Sequence, residues 1–415
     1  MNRSHIVVKI QEKGLLWVLA IGLKRSIIFM SQIPLNIISF SIVLIIRFCK
    51  PLLTIRIGWI DIGRIGGSYN AFWNLDYQEG LKRTLDIYYF LFSTNHSNIF
   101  WKKLWKQSVI VFPFHRLARR IDKINLKIPG GNPHNATKEN WPPSKNVIQA
   151  ILKSDKIIHY KFSKEEEILG AIGKERLGLS KEDSFVCYHV RDSAYLNHVE
   201  NTRDWTYHNF RDANIKSYIP SMQELLKEGK HVLRMGSIAN SRIDTNKTGI
   251  VDYVFNKFRS DFLDVFLSAK CEFFVGMISG IIILPEFFRK PIVYTNSLKI
   301  CNVHSWVSNS LTIFKLLYSL EQQRLLSFQE IFEYGPLVND EILKSNNLTI
   351  IDNTPDEITD VVVEMGGRLS GSWEDNPADL DRQNSFWSIY GKDYLKSDSA
   401  RIGTMFLRKY EQLLF

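Results

Sequence analysis

The chain has 415 residues, 45% hydrophobic and 13% aromatic, which is too long for one ordinary core and suits about two domains. Charged residues make up 23%, with no low-complexity tract or internal repeat, so most of the chain is expected to be globular. The formal net charge is +10, but residues 1–50 carry +6 of it, so no nucleic-acid groove spread over the fold is expected.

In those fifty residues Arg3, Lys9, Lys13, Lys24, Arg25, Arg47 and Lys50 face one acid, Glu12. They flank an uncharged stretch, Ser26–Ile46, of a length that can cross a bilayer. Gln32, Pro34 and Asn36 near its middle speak against crossing, and the basic flanks on both sides give no orientation. A secretory signal fits poorly, because the apolar run Leu15–Leu23 meets Lys24 and Arg25 with no small-residue cleavage site. Residues 1–50 are therefore expected to be helices lying in the membrane interface, held by apolar burial and by Lys/Arg contacts to anionic lipid. The alternatives are a true span and a helix buried on the protein itself.

After Pro51, LLTIRIGWI reads as a strand and Asp61–Gly67 (DIGRIGG) as a glycine-rich turn, the opening of many α/β units. Ser108–Phe114 reads as a buried strand, 128–144 as a loop, and 146–152 and 164–172 as helices. Phe185–Val190 is the next strand. Ile215, Tyr218, Ile219, Met222, Leu225 and Leu226 share one helix face, with Gly229 as the stop and Pro220 as a kink or late start. His231–Gly236 is a strand. Asp261 and Asp264 resemble a cap pair before the stripe of Phe262, Val265, Phe266 and Ala269. CEFFVG, SGIIILPEFF and PIVYTN then read as strand, helix start and strand, and the chain ends in helical segments after Pro377. The pattern predicts an α/β fold with a parallel sheet in the second half and, less directly, another in the first. The four cysteines, Cys49, Cys187, Cys271 and Cys301, form no Cys-x-x-Cys pair and read as reduced thiols.

Ligands of such folds sit at the carboxyl ends of the strands. Three successive ends carry polar clusters: His189, Arg191 and Asp192; Arg234, Gly236 and Ser237; Ser279, Gly280 and Glu286. An arginine there offers a planar fork of donors to phosphate, and the turn into SGIIILPEFF can cradle an anion. Glu286 is placed to accept from ribose hydroxyls, and Arg64 is either a loop cation or a ligand contact. Taken one at a time these residues are also a buried histidine, a surface ion pair and turn glycines. Together they describe a nucleotide-diphosphate pocket that needs no metal. The Asp-x-Asp of Asp379–Asp381 reads as a solvated loop rather than a metal pair.

YHVRDSAYL, YHNFRDANIKSYIPSMQELLKEGKHVLRMGS, RSDFLDVFLSAKCEFFVGMISG and FRKPIVYTN resemble a family of predicted bacterial glycosyltransferases from surface-polysaccharide gene clusters. IRIGWIDIGRIGG and NTPDEITDVVVEMGGRLSGSW are similar to the same family, and the likeness covers most of residues 52–410. More distantly, HVRD is similar to the His-x-Arg motif of fucosyltransferases with the GT-B architecture. The resemblance implies a GT-B-like fold, two Rossmann-like domains facing a cleft. Its boundaries are 1–50 for a membrane-associating segment, 51–180 for an acceptor domain, 181–375 for a nucleotide-sugar domain and 376–415 for a helical end. It implies that Arg191 binds the donor diphosphate, with Arg234, Ser279, Gly280 and Glu286 around the donor and Arg64, Gly66 and Gly67 near the acceptor. Asp61, His189 and Asp192 are the candidate general bases, unranked.

Two departures stand out. Asp192 follows Arg191 at once, which argues against a GDP-fucose donor, and Gly67 stands where the polysaccharide family has histidine. The implied activity is metal-independent transfer from a nucleotide sugar to a glycan or lipid-linked glycan, at the cytoplasmic side of the bacterial inner membrane. The rival is an inactive relative that binds nucleotide sugars or acts as a scaffold. An epimerase that uses a dinucleotide would need Gly-x-Gly-x-x-Gly, which GRIGG does not match.

Overall fold

The computed structural model describes residues 15–79, 83–91, 97–137, 144–153, 160–199, 204–244, 247–298, 300, 303–334, 339–391 and 394–415. Arg3, Lys9 and Lys13, part of the 128–144 loop, and Cys301 lie outside them. Packing divides the chain into two units that interleave along the sequence. One comprises Met1–Ile60, Leu81–Ser93 and Val109–Lys138; the other comprises Asp61–Gly80, Thr94–Ser108 and Glu139–Phe415. The boundaries expected at 50, 180 and 375 are linear, so the two divisions differ. The turn Asp61–Gly67, expected beside an acceptor in the first domain, packs with the second unit.

The first unit is built on a parallel sheet of β1 (Thr54–Ile60), β2 (Thr84–Phe90) and β3 (Ile110–Val111), in that order. The strand expected over Ser108–Phe114 shortens to the two residues that pair with β2. Helices Leu15–Phe48 and His115–Lys127 share one face of the sheet. There Val43, Ile46, Ala118 and Ile121 pack on Ile57 of β1 and Tyr89 of β2. Among the described residues no helix is long and apolar enough to cross a membrane. On the other side of β1 and β2, Arg56 and Asp86 lie opposite each other in register and form a buried two-point ion pair.

The second unit holds β4 (Phe185–His189), β5 (His231–Arg234), β6 (Ile250–Val251), β7 (Phe274–Gly276), β8 (Ile292–Ser297), β9 (Ser310–Phe314), β10 (Leu316–Ser319), β11 (Arg324–Leu325), β12 (Leu348–Ile351) and β13 (Arg401–Ile402). Seven of them form a parallel sheet in the order β13-β9-β8-β7-β4-β5-β6, and β11-β10-β12 form a small antiparallel sheet. Alternate residues of the central strands feed two cores. Val186, Tyr188, Val232, Val275 and Val293 face one, and Phe185, Cys187, Leu233, Phe274 and Ile292 face the other. A sheet covered on both faces needs apolar residues at every position, which is why these strands read as continuous hydrophobic runs. The α/β class and its parallel sheets match the expectation. Cys187 and Cys271 are buried free thiols.

Local differences have local causes. The helix over Ile215–Leu226 begins late: residues Ile215–Tyr218 make a 3-10 turn, and the α-helix runs Ile219–Lys227 with Pro220 in its first turn, where a missing N–H costs nothing. The cap of helix Asp261–Lys270 is Ser260, whose hydroxyl accepts from Leu263 N–H at 3.2 Å, rather than an aspartate pair. Asp379 is not in a solvated loop. It is buried, completes a capping box with Asn376, and is held below the usual carboxylate range by Arg408. The end of the chain adds an edge strand, β13, to the expected helices Pro377–Ser388 and Thr404–Lys409.

Removing one partner of the Arg56–Asp86 pair strands a buried charge. Asp86→Ala is therefore expected to cost about 3–5 kcal/mol in denaturant unfolding, and Arg56→Met with Asp86→Leu to recover most of it. A single variant as stable as the parent would contradict that role.

Candidate functional site

The order of the large sheet reverses at β4. From β4 the chain steps to β5 and β6 on one side, then returns to β7, β8 and β9 on the other. The loops leaving β4 and β7 must therefore part, and a crevice opens at their carboxyl ends. A cavity of about 600 Å³ lies there, and all of its lining belongs to the second unit. Four strand ends contribute: 189–192 after β4, 236–238 after β5, 277–281 after β7 and 296–298 at the end of β8. The turn Arg64–Gly67 and the segment around Phe210 and Arg211 complete it.

Two glycines make the crevice possible. A Cβ on Gly66 would lie 2.6 Å from the Cα of Gly280, so the two turns meet backbone to backbone. A Cβ on Gly67 would lie 2.7 Å from Oδ2 of Asp61. A histidine at position 67 is thus incompatible with Asp61 where it stands. Asp61 itself does not line the cavity; its Oδ1 accepts from Gly63 N–H at 2.8 Å and shapes the turn from behind.

Of the expected phosphate ligands, Arg191 lines the cavity and Arg234 does not. Arg191 pairs with Asp212. Burial first, and then the neighbouring Arg211 guanidinium, lower Arg191 to about 10. Arg211 lines the same wall, donates to the Ile278 carbonyl at 2.9 Å and is itself lowered by burial. The segment carrying them is fixed from below by Lys315, a buried ammonium bonded to the carbonyls of Phe210 and Asp212 and paired with Asp352 at 2.8 Å. Two crowded guanidiniums, partly stripped of water, favour a bound anion. Arg234, by contrast, is 2% exposed. Its guanidinium is taken up by the Ser241 carbonyl at 2.6 Å, Asp252 at 3.6 Å and Asp192 at 4.0 Å, so it organises loops.

Glu286 is likewise no lining residue. It is 2% exposed, and its Oε1 accepts from Tyr294 at 2.8 Å, from His304 Nδ1 at 2.5 Å and from Tyr69 at 3.4 Å. Only Tyr69 of that group reaches the cavity. The apolar positions of SGIIILPEFF turn Glu286 inward with Ile282, Ile283 and Phe287.

Asp192 lines the cavity, but its two oxygens accept backbone N–H groups of Ala194 at 3.0 Å and Asn240 at 2.9 Å. His189 lines it too. Its Nδ1 is 3.2 Å from the Met235 carbonyl, which fixes the proton there and leaves Nε2 as the basic nitrogen. Burial lowers its imidazole to about 4, so the ring is neutral at neutral pH. Gly236 and Ser237 line the cavity, and Gly236, at φ +143°, is held by Arg259 Nε donating to its carbonyl at 2.9 Å. Arg259 in turn pairs at 2.6 Å with Asp264, which burial raises to about 6. Ser279 and Gly280 line the cavity, and the Ser279 hydroxyl is buried with no partner among the described residues.

Arg211, Arg259 and the end of β8 were not singled out from sequence. Asn296 adopts φ +49° and exchanges two hydrogen bonds with Asn353, at 2.6 and 2.8 Å. Ser297 beside it has a second buried hydroxyl with no partner among the described residues. The rule that selected the other strand ends applies equally to YTNS. Among the described residues no cluster of His, Cys, Asp and Glu is placed to hold a metal ion.

Burial of neutral His189 has a consequence for stability. Its folded value of about 4 lies below the ordinary 6.5, so the unfolded chain takes the proton first. Folding stability is expected to fall as pH drops from about 6.5 towards 4. Asp264, raised in the fold, acts oppositely over about 4–6 and is unchanged by a substitution at 189. His189→Gln should flatten the acid limb of a melting-temperature profile relative to the parent. Parallel profiles would refute the burial effect.

No protein-family model and no curated protein sequence matches the chain. Among solved structures it is similar to ADP-heptose LPS heptosyltransferase II of E. coli. That match has 14% identity and a TM-score of 0.40, and covers 63% of this chain and 91% of that one. A glycosyl transferase family 9 protein of Veillonella parvula matches at 9% identity, 63% and 86% coverage and TM-score 0.39. UDP-GlcNAc 2-epimerase of Methanocaldococcus jannaschii matches at 10%, 63% and 89%, with TM-score 0.30. Likenesses this distant decide nothing about chemistry.

Proposed function

We propose that the second unit binds the diphosphate of a nucleotide sugar and that the protein is a glycosyltransferase. One observation carries this reading. A cavity of about 600 Å³ opens where the parallel strand order reverses, and Arg64, Arg191 and Arg211 line it together with Ser279. Transfer leaves a nucleoside diphosphate carrying new negative charge. Arg191 and Arg211 are preorganised to take that charge, one by its pair with Asp212 and the other by the Ile278 carbonyl. Tyr195, Trp205 and Phe210 supply an aromatic wall for the base or the sugar. Of the three candidate bases, His189 combines a place in the cavity with a neutral ring, while Asp61 and Asp192 support turns.

The acceptor is proposed to be a glycan or lipid-linked glycan of a bacterial surface polysaccharide. Nucleotide-sugar donors are cytoplasmic, so the enzyme would act on that side of the inner membrane. The role rests on arginines rather than a metal, so chelation by EDTA should leave transfer unchanged.

Calorimetric titration with UDP, GDP, ADP and CMP tests the site, and product analysis with the matching nucleotide sugars tests the reaction. Arg191→Ala and Arg211→Ala are each expected to weaken nucleotide binding about 10- to 100-fold with the fold intact, the loss of one charge-assisted contact. Arg191→Ala with unchanged affinity would overturn the assignment. Binding without turnover would leave the inactive relative, and inversion of the sugar without transfer would mean an epimerase. The missing Gly-x-Gly-x-x-Gly spacing bears only on epimerases that use a dinucleotide.

A further inference from the structure

We propose that the first unit docks on an anionic bilayer surface through the outer face of helix His115–Lys127 and that of residues 32–48 in helix Leu15–Phe48. The two helices lie side by side on one face of the β1-β2-β3 sheet, so the sides turned away from the sheet point the same way. Arg120 ties them together by donating to the Gln32 carbonyl at 2.9 Å and to Asn36 Oδ1 at 3.0 Å. Each helix presents one half of what a lipid surface recognises.

The first contributes the apolar half. Ser39, Val43 and Ile46 face the protein, and Ile37, Phe40, Leu44, Ile45 and Phe48 lie on the opposite side. Ile37 is 62% exposed, Ile45 60% and Phe48 87%. A run of large apolar side chains on one exposed face marks an interaction surface.

The second helix contributes the charge. Arg116, Arg119, Arg120, Lys123 and Lys127 fall within an arc of about 100° at 100° per residue. That arc lies opposite the buried Ala118, Ile121 and Asn125. The only acid of the helix, Asp122, is buried and bonded to the Tyr89 hydroxyl at 3.1 Å. Among the described residues none of the five cations has an ion pair. They lie outside residues 1–50, so the surface is not confined to the segment expected from sequence.

The combination selects the partner. A nucleic acid would use the cations and leave the isoleucines and phenylalanines in water. A second copy would bury the apolar stripe but set one row of uncompensated cations near another. A bilayer with anionic headgroups satisfies both halves: phosphates meet the Arg/Lys arc, and acyl chains meet the apolar stripe. The inward-facing Val43 and Ile46 hold the last turns of the helix along the protein, so the contact proposed for those turns is interfacial. None of this depends on the chemistry proposed for the cavity.

Co-sedimentation of the full chain with phosphatidylcholine vesicles, with and without phosphatidylglycerol, is the test. The parent should bind the anionic vesicles and lose affinity as salt rises. Arg116→Glu, Arg119→Glu and Lys123→Glu together should weaken that binding at least tenfold, on the order expected for three surface cations. Ile37→Ser with Leu44→Ser should weaken it at low salt as well. All five positions are exposed, and circular dichroism and the melting temperature check the fold. If charge reversal unfolds the chain, the Gln versions of the same three residues serve instead and should give a smaller loss. Equal binding to neutral and anionic vesicles, or a charge-reversed variant that binds like the parent, would overturn the proposal. So would an absence of vesicle binding alongside either RNA binding or a concentration-dependent dimer abolished by the same substitutions.

Discussion

The order of strands in one parallel sheet constrains everything else around the cavity. Because β5 and β7 leave β4 on opposite sides, the loops after β4 and β7 separate, and the polar ends of β4, β5, β7 and β8 surround one space. The contact of Gly66 with Gly280 then decides how closely the Arg64–Gly67 turn approaches. Any side chain at either glycine would hold the turns apart and change the shape of the wall. A side chain at position 67 would meet Asp61, which occupies the space it would need.

Electrostatics follow from that geometry. Side chains at the reversal are partly desolvated yet must carry charge, and they are arranged in tiers. Behind the wall Arg234 is neutralised by Asp252 and by Asp192, which itself lines the cavity, and beneath it Lys315 pairs with Asp352. At the wall Arg191 pairs with Asp212 and is lowered by burial and by the Arg211 guanidinium, while Arg211 donates to the Ile278 carbonyl and is lowered by burial. An incoming dianion relieves that crowding. His189 answers the same environment by staying neutral.

Much of this was legible in the sequence. The parallel strands were visible as apolar runs, and strand-end reasoning found Arg191, His189, Gly236, Ser237, Ser279 and Gly280, all of which line the cavity. Arg234 and Glu286 occupy equivalent positions in sequence and turn out to be buried partners of other residues. Sequence reports that a charge follows a strand, but not whether a distant Asp252 or His304 will claim it. Arg211 and Arg259 were hidden for the converse reason, because they reach the cavity from segments that end no strand. The interleaving of the two units was hidden as well, since it depends on which sheet each of the segments 61–80 and 94–108 packs against.

One anionic ligand, on the proposed function, is gathered by four strand ends of the second unit. Amide hydrogen exchange with and without saturating nucleoside diphosphate measures this directly. Protection is predicted together at 189–192, 236–238, 277–281 and 296–298, with residues 64–67 and 206–212 following. Protection confined to another region, or no change at these strand ends while the nucleotide binds, would contradict it.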